Sequence, residues 1–470
     1  MAVVYVAAMF MAVLDTTIVN VALPTIGRQL HAAAGDASNV GSVSIAYLVS
    51  LAVFIPASGW LGDRIGGRRA LLGSVAVFTL ASTLCGFATS LGELTVFRIL
   101  QGVGGAVMTP VGLAMLFRVY PPAERVRISS VLAMGSALAP ALGPILGGLF
   151  TTYASWRLVF FVNVPIGVAT IAFGAVALAD HVPAHPGRLD VAGLLLSALG
   201  LGSLMYGVAA GPSRGWSSAP VLATTLAGLA LLIALVVVEL RATNPLVDLG
   251  LLGDRMFACA TGLYGLASLA YLGALFLAAL FFQEALGLSA VRSGLTVFPS
   301  ALGVMVGGQI VTRVLYRRLG PRRVTVAGLV AIAGSMLLMA LVDADTSLWL
   351  VRLIMLVLGV GVAFVFVPSQ AASMATIAKA RTGRASAIFN AGKQLGGAVG
   401  VALLGTVLSG IGATRESHGH AVVDLGAYHG AFFSAAAVAL AAVAVALAIR
   451  DSDAVATMTP GPARVAAPAR

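Results

Sequence analysis

Long apolar runs separated by short polar segments follow one another along the chain. Each run is about 20 residues long, the length that a helix needs to cross the hydrocarbon core of a bilayer. The runs lie at 3–25, 41–61, 70–90, 93–117, 128–150, 158–179, 190–210, 219–239, 256–280, 294–314, 323–342, 348–371, 385–409 and 427–449. This pattern predicts an all-α membrane protein with 14 transmembrane helices.

The first six runs recur in the last six. A shift of 257 residues places Gly102 on Gly359, Gly104 on Gly361, Ala106 on Ala363, Arg127 on Arg384 and Gly143 on Gly400. We therefore predict an N-terminal six-helix bundle over 1–180, an inserted two-helix hairpin over 181–255, a C-terminal six-helix bundle over 256–450 and a disordered cytoplasmic tail over 451–470. Two six-span halves of like orientation are typical of transporters, with the substrate path between them.

Composition and charge agree with a location in the membrane. Hydrophobic residues make up 59% of the chain and charged residues only 10%, whereas about a quarter of a soluble domain is charged. With both termini in the cytoplasm, twenty of the 28 lysines and arginines fall in cytoplasmic segments and five in outer segments. This bias predicts a multi-pass protein of the cytoplasmic (inner) membrane with both termini cytoplasmic. It also explains the net charge of +11 without a nucleic-acid partner.

The polar residues show no arrangement that is typical of catalysis. The sequence contains no nucleotide-binding loop, no nucleophile with a base and no metal-ligand spacing. We therefore predict no enzyme activity, no cofactor and no metal site. No loop is long enough to hold a soluble signalling domain, which argues against a membrane sensor or scaffold.

The loop GWLGDRIGGRRALL (59–72) joins the second and third spans. Its arginines alone are expected from orientation, but the whole combination is more specific: Gly59, Asp63, Arg64, Gly66, Arg68 and Arg69. It resembles the loop motif of the major facilitator superfamily. The resemblance implies a cytoplasmic gate that holds the two halves together while the protein faces outward. In the second copy, RVLYRRLGPRR (313–323), Arg317 replaces the aspartate, and orientation is enough to explain that loop.

Further stretches resemble the fourteen-span drug:proton antiporter family of this superfamily, a group of multidrug exporters. They are LDTTIVNVALP (14–24), RILQGVGGA (98–106), GSALAPALGPILGG (135–148), WRLVFFVNVPIG (156–167), RLDVAG (188–193) and GRASAIFNAGKQLGGAVGVAL (383–403). The third resembles the antiporter motif, with Gly135, Pro140, Gly143, Pro144, Gly147 and Gly148. Helix packing through small residues also explains that stretch. The resemblance implies the major facilitator fold, with two six-helix bundles plus two inserted helices.

Asp15 is the only acidic residue that we place in the middle of a span. Burial favours the neutral form of a carboxyl group, whereas a nearby Arg98 favours the charged form. A group under these opposing influences can bind a proton in one conformation and release it in another. We predict that Asp15 and Arg98 form the proton-coupling site. The alternative is an ion pair with a purely structural role.

Other polar residues within the spans are candidates for the substrate cavity. They are Asn20, Gln101, Asn163, Asn390, Lys393 and Gln394. The thirteenth span offers the last three of these but no acid, which favours neutral, monovalent or anionic substrates over divalent cations. Lys393 is either a counter-charge in the cavity or an anchor whose side chain extends to the cytoplasmic interface.

These observations together predict a monomeric antiporter embedded in the lipid bilayer. It would alternate between inward-facing and outward-facing states and export lipophilic drugs or toxic small molecules, with the proton gradient as its energy source. One alternative is a dedicated exporter of one endogenous secondary metabolite or lipid. An importer, which the antiporter motif argues against, and a non-transporting sensor or scaffold are the others.

Overall fold

The computed structural model describes residues 1–30, 37–179, 189–242, 245–343, 345–412, 414–417 and 420–458. Its α-helices are α1 (Ala2–Gln29), α2 (Ala37–Ile65), α3 (Gly67–Phe87), α4 (Leu91–Val119), α5 (Pro122–Tyr153), α6 (Leu158–Phe161), α7 (Asn163–Ala177), α8 (Val191–Arg214), α9 (Ala219–Glu239), α10 (Arg255–Leu280), α11 (Ala290–Val297), α12 (Pro299–Ile310), α13 (Tyr316–Met339), α14 (Leu348–Ser373), α15 (Thr382–Ile411), α16 (Leu425–Leu447) and α17 (Val455–Met458). Shorter 3₁₀ segments cover Leu249–Gly253, Lys379–Arg381 and Asp451–Ala454, and π-helical turns cover Phe281–Ala285 and Val311–Leu315. Two strands, β1 (Thr414–Ser417) and β2 (His420–Val423), pair antiparallel.

Thirteen helical segments of the described residues are long and apolar enough to cross a membrane. One of them, Val291–Met339, has 49 residues. A continuous helix of that length would extend about 74 Å, more than twice the hydrocarbon thickness of about 30 Å. The segment breaks at Gly320, whose φ of 77° lies in the left-handed region that glycine tolerates. It therefore crosses twice, and the 14 predicted transmembrane helices are confirmed.

The same helix contacts recur in the two halves of the chain. In the first half α1 packs against α5, α2 and α3 pack against α4, and α3 packs against α7. The corresponding pairs in the second half are α10 with α15, α12 and α13 with α14, and α13 with α16. Glycines permit the close approaches: a Cβ on Gly104 would lie 2.7 Å from the Phe78 nitrogen, and one on Gly361 would lie 2.9 Å from the Gly328 oxygen. The predicted pair of six-helix bundles is thus confirmed.

The two bundles meet along two related seams. On one side α2 and α4 pack against α15, and on the other side α5 packs against α11, α12 and α14. The inserted helices α8 and α9 pack on each other, and α8 lies along both α2 and α15. The hairpin therefore covers one of the two seams from outside, next to the space between the bundles.

The structure departs from the sequence-based expectations at the C-terminal end. Residues 451–458, assigned to a disordered tail, form a 3₁₀ turn and α17, which packs against α5. The Tyr316 hydroxyl is hydrogen bonded to Thr457 Oγ1 at 2.7 Å, and both side chains are buried. That part of the tail prediction is therefore wrong, because buried contacts hold the segment. The remainder, 459–470, and the predicted domain boundary at 180/181 lie outside the described residues.

The predicted all-α class is confirmed with one small exception. Strands β1 and β2 form a hairpin in the connection between α15 and α16, with Thr414 opposite Val423 and Ser417 opposite His420. The other described residues lie in helices or in the connections between them, and these elements position all the functional groups described below.

Candidate functional site

A buried polar network lies inside the first bundle. The Asp15 carboxylate on α1 forms an ion pair with the Arg98 guanidinium on α4, and neither side chain is more than 1% exposed. The Gln101 amide donates to Asp15 Oδ1 at 2.8 Å, and the Asn163 amide on α7 donates to the same oxygen at 3.0 Å. Arg98 also donates to Gln101 Oε1 at 2.8 Å. Three donors from two helices therefore converge on the Asp15 carboxylate.

The network connects several helices of this bundle. Arg98 and Gln101 are three residues apart on α4, so both point to the same side of the helix. The Asn163 amide also donates to Ser82 Oγ on α3 at 3.1 Å, and Ser82 donates to the Phe160 carbonyl at 2.9 Å. Asn163 Oδ1, in contrast, is buried and accepts no hydrogen bond from the described residues. The network thus retains one unused acceptor beside the carboxylate.

Tyr47 separates this network from the space between the bundles. The Arg98 guanidinium lies 4.1 Å from the centroid of the Tyr47 ring, and the Tyr47 hydroxyl donates to the Ala12 carbonyl at 3.4 Å. Tyr47, Ala12 and Thr16 all line the central cavity, whereas Asp15 does not. The acid therefore lies one layer of side chains behind the cavity wall in this conformation.

An apolar cavity of about 550 Å³ lies between the two bundles. This volume is within the range of small-molecule binding sites. Its wall includes the aromatic side chains of Tyr47, Tyr271, Phe276 and Phe366. Hydroxyl and amide groups are distributed among these apolar residues: Thr16, Thr17, Asn20, Ser44, Thr109, Ser136, Ser268, Ser293, Asn390 and Gln394.

The cavity extends to only one end of the bundle. The end that carries the arginine-rich α2–α3 loop is called the basic end here, and the opposite end the far end. The lining reaches Pro212, two residues before the end of α8, and Ser293, three residues after the start of α11, both at the far end. Towards the basic end it stops at Met9 of α1, Ile55 of α2, Phe366 of α14 and Asn390 of α15. These four positions lie about 10–15 Å from the basic ends of their helices.

The residues predicted to line the cavity divide into two groups. Asn20, Asn390, Lys393 and Gln394 do line it, and Ser44 donates to Asn20 Oδ1 at 2.8 Å. Gln101 and Asn163 do not, which corrects their assignment to the substrate cavity. Both are fully buried and bind Asp15 instead, because their helices present them to the inside of the first bundle.

The predicted gate motif lies where the two bundles touch at the basic end. A Cβ on Gly59 would lie 3.0 Å from the backbone carbonyl of Gly383, so α2 and α15 approach closely there. Asp63 accepts from Arg118 at 2.8 Å. A Cβ on Gly383, in the first turn of α15, would lie 3.4 Å from Asp63 Oδ2. Asp63 therefore has both partners that a carboxylate prefers, a cation and a helix N-terminus.

The rest of the motif shapes the loop within the first bundle. Gly66 has a φ of 88° immediately before α3, a conformation that glycine tolerates without strain. Arg68 donates to the Ala175 carbonyl at 2.5 Å and so joins α3 to the end of α7. Arg64 and Arg69 are exposed at the surface of the basic end.

Two further contacts lie at the basic end, and the sequence motifs do not include them. Arg125 of α5 donates to the Met374 carbonyl at the end of α14, across the seam between the bundles. Arg381 pairs with Asp248, which connects the start of α15 to the segment that follows the inserted hairpin. Both arginines belong to the excess of basic residues in this region, which the charge pattern attributed to orientation alone.

The antiporter motif packs α5 onto α1 beside the network. A Cβ on Gly143 would lie 2.3 Å from Thr17 Oγ1, and one on Gly147 would lie 3.0 Å from the Ile18 carbonyl oxygen. Gly135 approaches α1 in the same way, and Gly148 is also buried. Pro140 and Pro144 line the cavity. The motif therefore serves as a packing surface and as part of the cavity wall.

Two six-helix bundles around a cavity that is closed at one end define this protein as a membrane transporter of the major facilitator fold. The chain belongs to the Major Facilitator Superfamily, because the model of that family matches residues 5–401. Membership confirms the predicted transporter class, as opposed to an enzyme.

Known proteins of similar sequence carry names of resistance and export. The chain is 33% identical to a multidrug resistance protein B homolog of Mycobacterium tuberculosis over 86% of this chain and 74% of that protein. It is 32% identical to the tetracenomycin C resistance and export protein of Streptomyces glaucescens over 85% and 74%, respectively. The crystal structure of the human organic anion transporter MFSD10 matches with a TM-score of 0.63 at 14% identity, covering 95% of this chain and 98% of that one. This last likeness supports the fold alone.

Proposed function

We propose that the protein is a proton-coupled antiporter that exports lipophilic drugs or other toxic small molecules across the cytoplasmic membrane. The observation that carries the proposal is the Asp15–Arg98 pair, buried beside the cavity with two amides that bind the same carboxylate. An ionisable group at membrane depth is costly and is usually functional. The names of the resistance and export relatives support the direction of transport.

The network offers a way for Asp15 to exchange a proton. In the present conformation Arg98 and the amides of Gln101 and Asn163 all bind the Asp15 carboxylate. A movement that withdraws Arg98 would leave a buried acid, which favours its neutral form. Asn163 Oδ1, which has no donor now, could then accept the new carboxyl proton. The same site can therefore hold a proton in one state and release it in the other.

Substrate and proton share one helix in this proposal. On α1, Ala12 and Thr16 face the cavity while Asp15 faces the network. Tyr47 touches the cavity on one side and Arg98 on the other. A ligand that presses on α1 or on Tyr47 would displace the pair directly, which is the contact that coupling requires.

The direction of the cycle follows from the placement of charge. We place the basic end, with both termini, in the cytoplasm because arginines accumulate there. The cavity then faces outward, with its cytoplasmic side closed by Gly59, Asp63 and Arg125. Opening to the cytoplasm requires these contacts to separate. Each proton that enters along the membrane potential contributes about 2.3 kcal/mol per 100 mV.

The proposal is tested first by a resistance profile and then by proton movement. Expression in a host that lacks its own pumps should raise resistance to several lipophilic compounds, and an uncoupler should abolish the gain. In everted vesicles, the most effective compound should release protons through the wild type. Asp15→Asn should reduce this release to that of vesicles without the protein, because an amide cannot exchange a proton.

Asp343→Asn provides the matched control, since Asp343 is an exposed acid at the far end. It should behave as the wild type does. If Asp15→Asn released protons as fully as the wild type, Asp15 would have no part in coupling, and its pair with Arg98 would be structural.

A second candidate is an exporter dedicated to one endogenous metabolite or lipid. It is favoured by the relative that is named for resistance to and export of a single compound, tetracenomycin C. The same profile distinguishes the two candidates. Resistance confined to one chemical scaffold indicates a dedicated exporter, whereas resistance to several unrelated scaffolds indicates a multidrug exporter.

A further inference from the structure

Lys393 is the one charged side chain that lines the cavity among the described residues. No aspartate or glutamate that the structure describes lines that wall, and Asp15 is buried behind Tyr47. Asp15 is in any case already paired with Arg98. The cavity wall therefore carries one positive charge that no acid of the same wall balances.

The ammonium group of Lys393 is also without a protein partner within the described part of the chain, either in a hydrogen bond or in an ion pair. The Asn390 amide, one turn away, donates to the Ser386 carbonyl at 2.9 Å and so points elsewhere. A charge that is partly removed from water without a partner costs free energy. A bound anion would remove that cost, so the site favours a ligand of opposite charge.

Lys393 cannot serve as an interfacial anchor in this position. It lies 11 residues after the start of α15 at Thr382, which corresponds to about 17 Å along the helix axis. A lysine side chain is much shorter than that distance. Of the two readings of Lys393 left open by the sequence, the structure therefore favours the counter-charge.

The surroundings of Lys393 define the rest of the ligand. The nearest turns of α15 contribute Gly397, Ala398 and Val401 to the wall, and Tyr271 and Phe276 of α10 stand in the same wall. These groups fit an apolar, preferably aromatic, body. The volume of about 550 Å³ accommodates one molecule of drug size.

We propose that Lys393 selects lipophilic substrates that carry one acidic group, such as a carboxylate, a sulfonate or an ionised phenol. The inference rests on the proposed export function and names its substrate class. The acidic group binds the Lys393 ammonium, and the apolar body lies against the aromatic wall. A charge-assisted contact of this kind is about twice as strong as a neutral hydrogen bond.

The charge of the substrate affects the energetics of export. An anion that leaves the cell and a proton that enters it both move with the membrane potential. One exchange therefore transfers two elementary charges, whereas exchange of a monovalent cation for one proton transfers none. Export of the anion should accordingly stop when potassium and valinomycin clamp the potential and the pH gradient is removed, and should continue at a reduced rate with either component alone.

Binding to the purified protein tests the inference without a proton gradient. The probes are 8-anilinonaphthalene-1-sulfonate and N-phenyl-1-naphthylamine, which share one aromatic scaffold and differ by the sulfonate. Titration calorimetry should show that Lys393→Gln weakens binding of the sulfonate at least about tenfold. Binding of the neutral amine should change less than about twofold, which also confirms that the variant is folded. Lys393→Arg should retain most of the affinity for the sulfonate.

The chain offers an unusually clean control, because Lys379 is its only other lysine. Lys379 is exposed at the basic end, so Lys379→Gln should bind both probes as the wild type does. In that variant an amine-selective reagent modifies a single lysine, and mass spectrometry can follow it. The sulfonate should protect Lys393 from the reagent, and the neutral amine should not.

Equal affinity of the wild type and Lys393→Gln for the sulfonate would overturn the inference. So would a wild type that binds the neutral amine but not the sulfonate. Because these are binding measurements, they stand even if Asp15→Asn fails to affect proton movement. Conversely, normal proton coupling with a neutral or cationic compound, combined with no effect of Lys393→Gln, would reject the substrate class and retain the exporter.

Discussion

The two bundles repeat one architecture but carry their charge in opposite ways. In the first bundle, Arg98 and Gln101 of α4 join Asp15 in a network that is sealed from the cavity. At the corresponding positions of α14, 257 residues later, stand Met355 and Leu358, both fully buried and apolar. The second bundle instead presents one charge, on α15, directly to the cavity.

This difference indicates that the two bundles do not have the same role. Helix α10, the counterpart of α1, carries no acidic side chain along its length. Under the two proposals made above, proton exchange falls to the first bundle and charge recognition of the substrate to the second. The helix contacts recur in the two bundles, whereas the polar residues on those helices differ.

The largest effect on stability is expected when Arg98 of the first bundle is replaced by methionine, the residue at the equivalent position 355 of the second bundle. Arg98→Met would leave the Asp15 carboxylate buried without its cation, which costs about 3–5 kcal/mol. Thermal unfolding of the purified protein, followed by tryptophan fluorescence, should show this loss. Because a proton can neutralise an unpaired acid, the deficit should shrink as the pH is lowered.

A double variant and a matched site define this prediction further. Arg98→Met combined with Asp15→Asn should recover most of the stability, since no buried charge remains. Met355→Leu, at the equivalent site of the second bundle, should cost less than about 1.5 kcal/mol because the volume is conserved. Wild-type stability of Arg98→Met at neutral pH would contradict the account of the pair given above.

A smaller effect is expected at the α2–α3 loop of the first bundle, which contacts the second bundle at the basic end. Asp63→Asn removes the charge that binds Arg118 and faces the first turn of α15. These groups are partly exposed, so the loss is about 1 kcal/mol or less. That corresponds to about a fivefold shift towards the state that is open at the basic end. Spin labels on cysteines at Arg64 and Lys379, in a background free of other cysteines, would report the separation. An unchanged distance distribution would show that Asp63 does not hold the gate.

The smallest effect is expected at the equivalent loop of the second bundle. There Asp451, which follows α16, accepts from the Arg322 nitrogen at 2.9 Å and lies against Gly320. This contact stays within one bundle, whereas Asp63 reaches the other. Asp451→Asn should therefore leave the label distances unchanged and cost a few tenths of a kcal/mol, because asparagine also accepts from helix nitrogens. A gate that opened in this variant would make the two loops equivalent.

Much of the fold could be predicted because a lipid bilayer permits very few backbone structures. A helix must satisfy its own backbone groups in the bilayer, so apolar runs of sufficient length are helices. The repeat then indicated which helices correspond. The tail could not be predicted in this way, because the contacts of Asp451 with Gly320 and of Thr457 with Tyr316 join residues that are far apart in sequence.

The charged residues of the site could be predicted from the sequence, but the positions of its amide side chains could not. Asp15 and Arg98 were recognisable because charge is rare within spans, and their contact follows from helix packing. Gln101 was assigned to the cavity although its spacing of three residues from Arg98 already placed both on one side of α4. The sequence around Tyr47 gave no sign that its ring separates the polar network from the cavity. Tyrosines are common in membrane spans, and this role depends on where α4 lies.

In the proposed antiporter, the position of the Tyr47 ring matters most when no substrate is bound. A carboxylate in open contact with the outer medium would admit hydrogen ions whether or not cargo was bound, and an idle carrier would then discharge the gradient on which the whole cell depends. The Tyr47 ring lies over Arg98 and separates Asp15 from the cavity. In the proposed mechanism, removing that ring with Tyr47→Ala should open Asp15 to the cavity and let protons cross without substrate.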